Sequence, residues 1–246
     1  MTPKRAAFYA LEPGGWRDLA TILHPPYTLW HLSYVALGAA AAPQVYPERL
    51  FAALGAFFLA VGVSAHALDE LNGRPLQTRL SDRALIAFAG VGLASALAIG
   101  VAGVVIVSAT LGPFVIAGGF AVVAYNLELF GGRFHTDFWF AAAWGAFPAL
   151  TGWWSNALGV SDVGDAVAAV GAVLGCFALS VAQRRLSSPV RQLRRATQWV
   201  RGEQRLADGS VRELSAAALA APLDGALRAL SLAIPLLAAG LVTVRL

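Results

Sequence analysis

Apolar residues in this chain come in long unbroken runs, not in the short alternations of soluble elements. From Leu50 to Ala65 almost every position is apolar, and comparable runs recur to the end of the chain. A charge-free run of about 20 residues is what a helix needs to cross a hydrocarbon core of about 30 Å. The pattern predicts seven spans, at about His24 to Ala42, Leu50 to Glu70, Ala84 to Ser108, Phe114 to Phe130, Phe138 to Trp154, Ala166 to Ala182 and Gly225 to Thr243. Pro25-Pro26 suits a helix start, and Gly112-Pro113 separates the third span from the fourth. A transmembrane barrel would alternate apolar and polar residues, and these runs do not. The expected fold class is all-α: a polytopic membrane helical bundle. Residues 1–23 form a cytosolic lead, and residues 24–246 form one membrane domain.

Composition agrees. Of 246 residues, 58% are hydrophobic and 13% charged, against roughly 25% charged in a soluble domain. The arginines then orient the bundle. Segments expected inside hold Lys4, Arg5, Arg17, Arg74, Arg79, Arg83, Arg133 and the cluster from Arg184 to Arg212, whereas the outside holds Arg49 and Arg245. That asymmetry follows the positive-inside rule, giving a multi-pass protein of the plasma (inner) membrane with a cytosolic N-terminus. It also accounts for the pI near 9.7 without a nucleic-acid partner. Residues 183–214 read as a basic amphipathic cytosolic segment before the last span, with Leu186, Val190, Leu193 and Val200 on one side. The first 23 residues contain no apolar core of a cleavable signal peptide. The lone Cys176 excludes an internal disulfide.

Candidate chemistry gathers at the inside end. His66, Asp69 and Glu70 stand at i, i+3 and i+4 and share one helix face. His24 opens the first span, and His31 lies two turns deeper. Glu128, His135 and Asp137 flank the inside end of the fourth span. Ionisable groups at the end of an apolar span are costly and usually have a use. Two chemistries suit the set. Carboxylates hold Mg²⁺ on a diphosphate while Arg74 and Arg133 clamp its oxygens; or histidines and carboxylates together hold Fe or Zn. Each residue also has a plainer role: His24 as a helix start, His31 as a packing residue, His135 and Asp137 as caps. Asp224 and Arg228, at i and i+4, read as a structural ion pair.

The stretch Asp69-Glu70-Leu71-Asn72-Gly73-Arg74-Pro75-Leu76-Gln77-Thr78 resembles the end of the second helix in UbiA-type intramembrane prenyltransferases, where N-D-x-x-D-x-x-x-D precedes R-P-L. Asp69 matches the middle Asp, and Arg74-Pro75-Leu76 the tail. Tyr125 to Glu128, Trp144-Gly145-Ala146-Phe147-Pro148 and His24-Pro25 resemble the family's fourth helix, fifth helix and entry. The likeness covers roughly Leu23 to Ala182. It implies a helical bundle with a central cavity open to the inner leaflet, a polyprenyl diphosphate donor, Mg²⁺, an allylic cation and an acceptor. On that basis Asp69 and Glu70 bind metal, and His66 and Glu128 act as ligand or general base. Asn72, Arg74, Arg79, Tyr125, Asn126 and Arg133 bind substrate, and His31, His135 and Asp137 complete the possible ligands. The family's leading Asn-Asp falls on Ala65-His66 and its last Asp on Gly73. Its second acidic motif falls on Gln183-Arg184-Arg185-Leu186-Ser187-Ser188-Pro189, which has no carboxylate, so the likeness is to a diverged member. The expected function is a membrane enzyme acting on an isoprenoid or other lipid at the cytosolic leaflet, most simply prenyl transfer. The alternatives are a His/carboxylate metal enzyme of lipid oxidation, desaturation or hydrolysis, and a non-catalytic lipid-binding subunit.

Overall fold

The computed structural model describes residues 6–246; Lys4 and Arg5, counted above in the basic inside set, lie outside the described residues. A short helix α1 (Trp16–Ile22) leads into α2 (Pro25–Ala41). Then come α3 (Pro47–Leu71), α4 (Asp82–Ile106) and α5 (Ala109–Asn126). Helix α6 covers residues 137–157, and α7 is Val163–Ala196. A small antiparallel hairpin, β1 (Gly202–Arg205) and β2 (Val211–Leu214), precedes α8 (Ala216–Arg245).

Five of these helices, α3, α4, α5, α7 and α8, are long and apolar enough to cross a membrane. Their outward side chains, Val91, Val105, Ile106, Ile116 and Leu236 among them, are exposed and apolar, as a lipid-facing surface requires. The other two expected spans, α2 and α6, pack on each other at the centre, and α2 packs also on α8. Helix α2 has 17 residues, about 25 Å of rise. Its Trp30, Tyr34, Val35 and Ala39 are fully buried. Gly38 and Gly152 make this pairing possible. A Cβ on Gly38 would lie 1.9 Å from the Ala149 carbonyl oxygen, and one on Gly152 would lie 2.0 Å from that of Val35. Small residues let membrane helices approach backbone to backbone in this way.

Two expectations are corrected. The sixth span does not stop at Ala182: α7 runs on to Ala196. Arginine is a good helix former, and Val190, like Ser187 and Gln183, is buried against the bundle, so the basic segment continues the helix. The rest of the segment is not helical. Residues 202–214 form the hairpin, closed by Asp208, whose carboxylate accepts from the Ser210 N–H at 2.9 Å, and by Gly209 at φ 84°. Asp-Gly is a hairpin-turn signal, and it outweighed the basic amphipathic pattern. Among the described residues this hairpin is the one strand pairing in an otherwise helical bundle.

Three stretches of wider π-helical turn interrupt the helices: Phe58–Ala65 in α3, Ala142–Ala146 in α6 and Gln192–Ala196 in α7. Such turns shift side-chain register and are often found at functional sites. All three contribute to the wall of one cavity.

Candidate functional site

That cavity, of about 150 Å³, lies among α2, α3, α5, α6, α7 and the start of α8. It is at the end of the bundle where the arginines gather. All four histidines of the chain line it, together with Asp69.

His24 is set in the left-handed region (φ 45°, ψ 53°) just before Pro25-Pro26, where proline disfavours the right-handed helical conformation. This turns its ring inward to stack on His66, with centroids 4.0 Å apart and planes 12° apart. The Tyr9 hydroxyl lies 2.9 Å from His24 Nδ1. Burial pushes the Tyr9 phenol well above its ordinary pKa, so it keeps its proton. With no other acceptor for it among the described residues, it donates to Nδ1. His24 then carries its own proton on Nε2, a buried N–H without a partner.

The other three histidines carry the opposite tautomer. His31 Nδ1 lies 2.8 Å from the Trp144 carbonyl oxygen, His66 Nδ1 3.2 Å from that of Gly62, and His135 Nδ1 3.0 Å from that of Tyr125. A carbonyl only accepts, so in each ring Nδ1 is the donor. Gly62 and Trp144 both sit in the π turns, where the helical ladder is shifted. Tyr125 stacks on His135 at 4.4 Å and stands edge-on to Trp144 at 5.5 Å.

The cavity thus brings together His31, His66, Asp69, Tyr125, Asn126 and His135 of the expected set, with His24. The remaining expected residues are elsewhere. Glu70 is fully buried but faces the following loop: its carboxylate accepts from the N–H groups of Leu76 and Thr78 and from the Thr78 hydroxyl, at 2.8, 2.8 and 2.9 Å. Those bonds fold the loop, and Glu70 has no free oxygen for a metal. Glu128 sits in a left-handed turn at φ 50° with its side chain 53% exposed; its nearest partner is His135 Nδ1 at 4.0 Å. Arg74 folds back on the Leu80 carbonyl and pairs with Asp82. Arg79 and Arg133 are exposed. Asn72 donates to the Asn126 carbonyl at 3.3 Å and so ties the loop to α5. Asp137 pairs with Arg184 at 2.7 Å on the outer side. Nor do Asp224 and Arg228 pair with each other: Asp224 is bonded to Arg194, and Arg228 lies over the Phe8 ring.

Gln183, Arg184, Arg191 and Arg195 of α7 line the cavity, as do Tyr27 and Asp224. The signal was present at 184, 191 and 195, spaced by seven and four, but it reads as a surface helix unless α7 is known to continue.

A second cavity, also about 150 Å³ and almost wholly apolar, runs between α3, α4, α5 and α6, lined by Phe57, Leu93, Leu97, Val115, Val122 and Phe147 among others. Val61 and Trp144 belong to both walls. Val61 and Trp144, in the π turns of α3 and α6, therefore form the shared wall at which the polar and apolar spaces adjoin.

Among the described residues no three His, Cys, Asp or Glu side chains converge as a metal site requires. Asp69 is the one lining carboxylate not already bonded to an arginine. The polar cavity is lined by three arginines, Arg184, Arg191 and Arg195, and by the four histidines. No protein-family model, curated protein or solved structure matches the chain.

Proposed function

We propose that this chain is a membrane-embedded enzyme acting on an amphiphilic lipid, with prenyl transfer from a polyprenyl diphosphate as its reaction. The observation that carries this reading is the junction of a polar cavity and an apolar cavity at Val61 and Trp144. An amphiphile would place its head among the histidines and arginines and its chain against Phe57, Leu93 and Val122. The UbiA-like stretch around Asp69 and Arg74-Pro75-Leu76 supports the choice of reaction, and the inner leaflet is the side from which the arginine distribution would admit substrate.

In such a transfer the allylic C–O bond breaks, diphosphate leaves with the bonding electrons, and the carbocation is captured by an acceptor that then gives up a proton. The rings of Tyr125 and Trp144 stand at the junction. An aromatic face there stabilises a cation by about 1–2 kcal/mol. His31 Nε2 or the Asp69 carboxylate takes the acceptor's proton. Packed aromatic side chains around the junction exclude water, which would otherwise quench the cation.

The test uses purified protein in liposomes, supplied with labelled geranyl, farnesyl or geranylgeranyl diphosphate and a cell lipid extract as acceptor. Expected are diphosphate release and a labelled lipid product, both lowered about a hundredfold or more in Asp69→Asn and in Trp144→Ala. Release no greater than in protein-free liposomes for every donor would refute the reading.

A further inference from the structure

The arginines of α7 stand where a metal-dependent site would need acids. Arg184, Arg191 and Arg195 follow one another on a single helix face, rising about 10 Å and then about 6 Å along the axis. All three line the polar cavity. Their local bonds leave charge unspent. Arg184 uses Nε on Asp137, Arg191 donates only to the neutral Ser188 hydroxyl, and Arg195 makes no hydrogen bond or ion pair among the described residues. Arg184 is balanced by Asp137 and Arg194 by Asp224, so Asp69 stands against Arg191 and Arg195. Arg191 is half-buried and Arg195 exposed, and a surplus of positive charge along a partly buried cavity wall favours an anion there.

A second, independent observation points to the same ligand. Gln183, next to Arg184 on α7, lines the cavity and is 2% exposed, yet its carbonyl oxygen Oε1 has no hydrogen-bond partner among the described residues. His24 Nε2–H, on the opposite wall, is likewise buried and unpartnered. Buried polar groups are almost always bonded, so three orphans around one cavity, with Asp224 Oδ1 the third, mark where ligand atoms belong. His24 Nε2–H is the donor that an anion's oxygen meets, whereas Gln183 Oε1 and Asp224 Oδ1 are acceptors and call for a donor.

We infer that Arg184, Arg191 and Arg195, with His24, bind the phosphate or diphosphate of the ligand directly, with no metal ion between. This rests on the reading of the polar cavity as the head-group site, and it replaces the carboxylate–metal clamp with guanidinium forks. Those forks match phosphate oxygens two at a time. Arg191 and Arg195, one turn apart, take one phosphate, and Arg184 takes the other when the ligand is a diphosphate.

The test is binding of farnesyl diphosphate and of inorganic diphosphate to the full chain in zwitterionic nanodiscs, by titration calorimetry, in EDTA and again with Mg²⁺. Farnesyl diphosphate is expected to bind in EDTA within a few-fold of its affinity in Mg²⁺. Arg191→Gln and Arg195→Gln are each expected to weaken it at least about tenfold, the loss from one charge-assisted pair. Arg205→Gln, on the exposed hairpin, leaves it unchanged. Unaltered dye reactivity of the buried Cys176 confirms that each variant is folded. Binding that needs Mg²⁺, or that survives Arg191→Gln with Arg195→Gln, overturns the clamp while leaving the lipid enzyme standing. Inorganic diphosphate bound through the arginines with no binding of the farnesyl ester supports the clamp and overturns the lipid reading. No binding of either ligand overturns both.

Discussion

Replacing Glu70 tests whether this residue organises a loop and takes no part in the chemistry. Its carboxylate receives hydrogen bonds from the Leu76 and Thr78 amides and from the Thr78 hydroxyl. Around it the chain adopts left-handed conformations at Gly73, Arg74 and Gln77, with φ of 95°, 53° and 57°. The two non-glycine residues carry about 1–2 kcal/mol of strain each, which the buried carboxylate offsets. A hydrogen bond to a charged group contributes about 1.5–3 kcal/mol, so the two amide bonds together contribute about 3–6 kcal/mol to keeping the loop closed. Glu70→Ala removes them and leaves two amides unsatisfied at residues that are 4% and 8% exposed. The loop then opens while the helices stay packed. Hydrogen exchange at Leu76 and Thr78 is expected to accelerate about a hundredfold or more, and trypsin should cut after Arg79 much faster. Asp69→Asn, one residue earlier but facing the cavity, is expected to change neither. Unchanged exchange at Leu76 and Thr78 in Glu70→Ala, or equal opening in Asp69→Asn, would refute the assignment of the two neighbours to different tasks.

Two further outcomes concern packing. Gly38→Ala and Gly152→Ala each place a methyl group on a carbonyl of the facing helix. Backbone cannot step aside as a side chain can, so a loss of about 3 kcal/mol or more is expected, read as earlier thermal exposure of Cys176 to a thiol dye. Gly90→Ala and Gly171→Ala, with nothing within 4 Å, are expected to be neutral or slightly stabilising. Arg194→Gln strands Asp224, whose side chain is 11% exposed, at a cost of about 3–5 kcal/mol. Arg194→Gln combined with Asp224→Asn should recover most of the loss in the same assay, and additive losses would show that the pair is not coupled.

The helices and their apolar faces were legible in the residues because both are short-range properties. Run length decides that α3, α4, α5, α7 and α8 can cross a membrane, and the spacing of His66 and Asp69 puts them on one face whatever surrounds them. The gathering of the histidines at one end followed from counting spans. Which neighbour turns where did not follow. Asp69 and Glu70 differ by about 100° around α3, and only the packing of the loop on one side and of α7 on the other makes one face the cavity and the other the loop. The arginines show the same division. Arg74 sits beside the acids in sequence, yet its charge is spent on Asp82 and the Leu80 carbonyl. Arg191 and Arg195 lie more than a hundred residues from Asp69 and reach its cavity because α7 continues beyond its apolar run. The π turns shift register by a fraction of a turn, which a 3.6-residue periodicity does not reveal. Local pattern decides what each segment is. Direction, and so the content of the cavity, is decided by which helices close on one another, and that is a property of contacts distant in the chain.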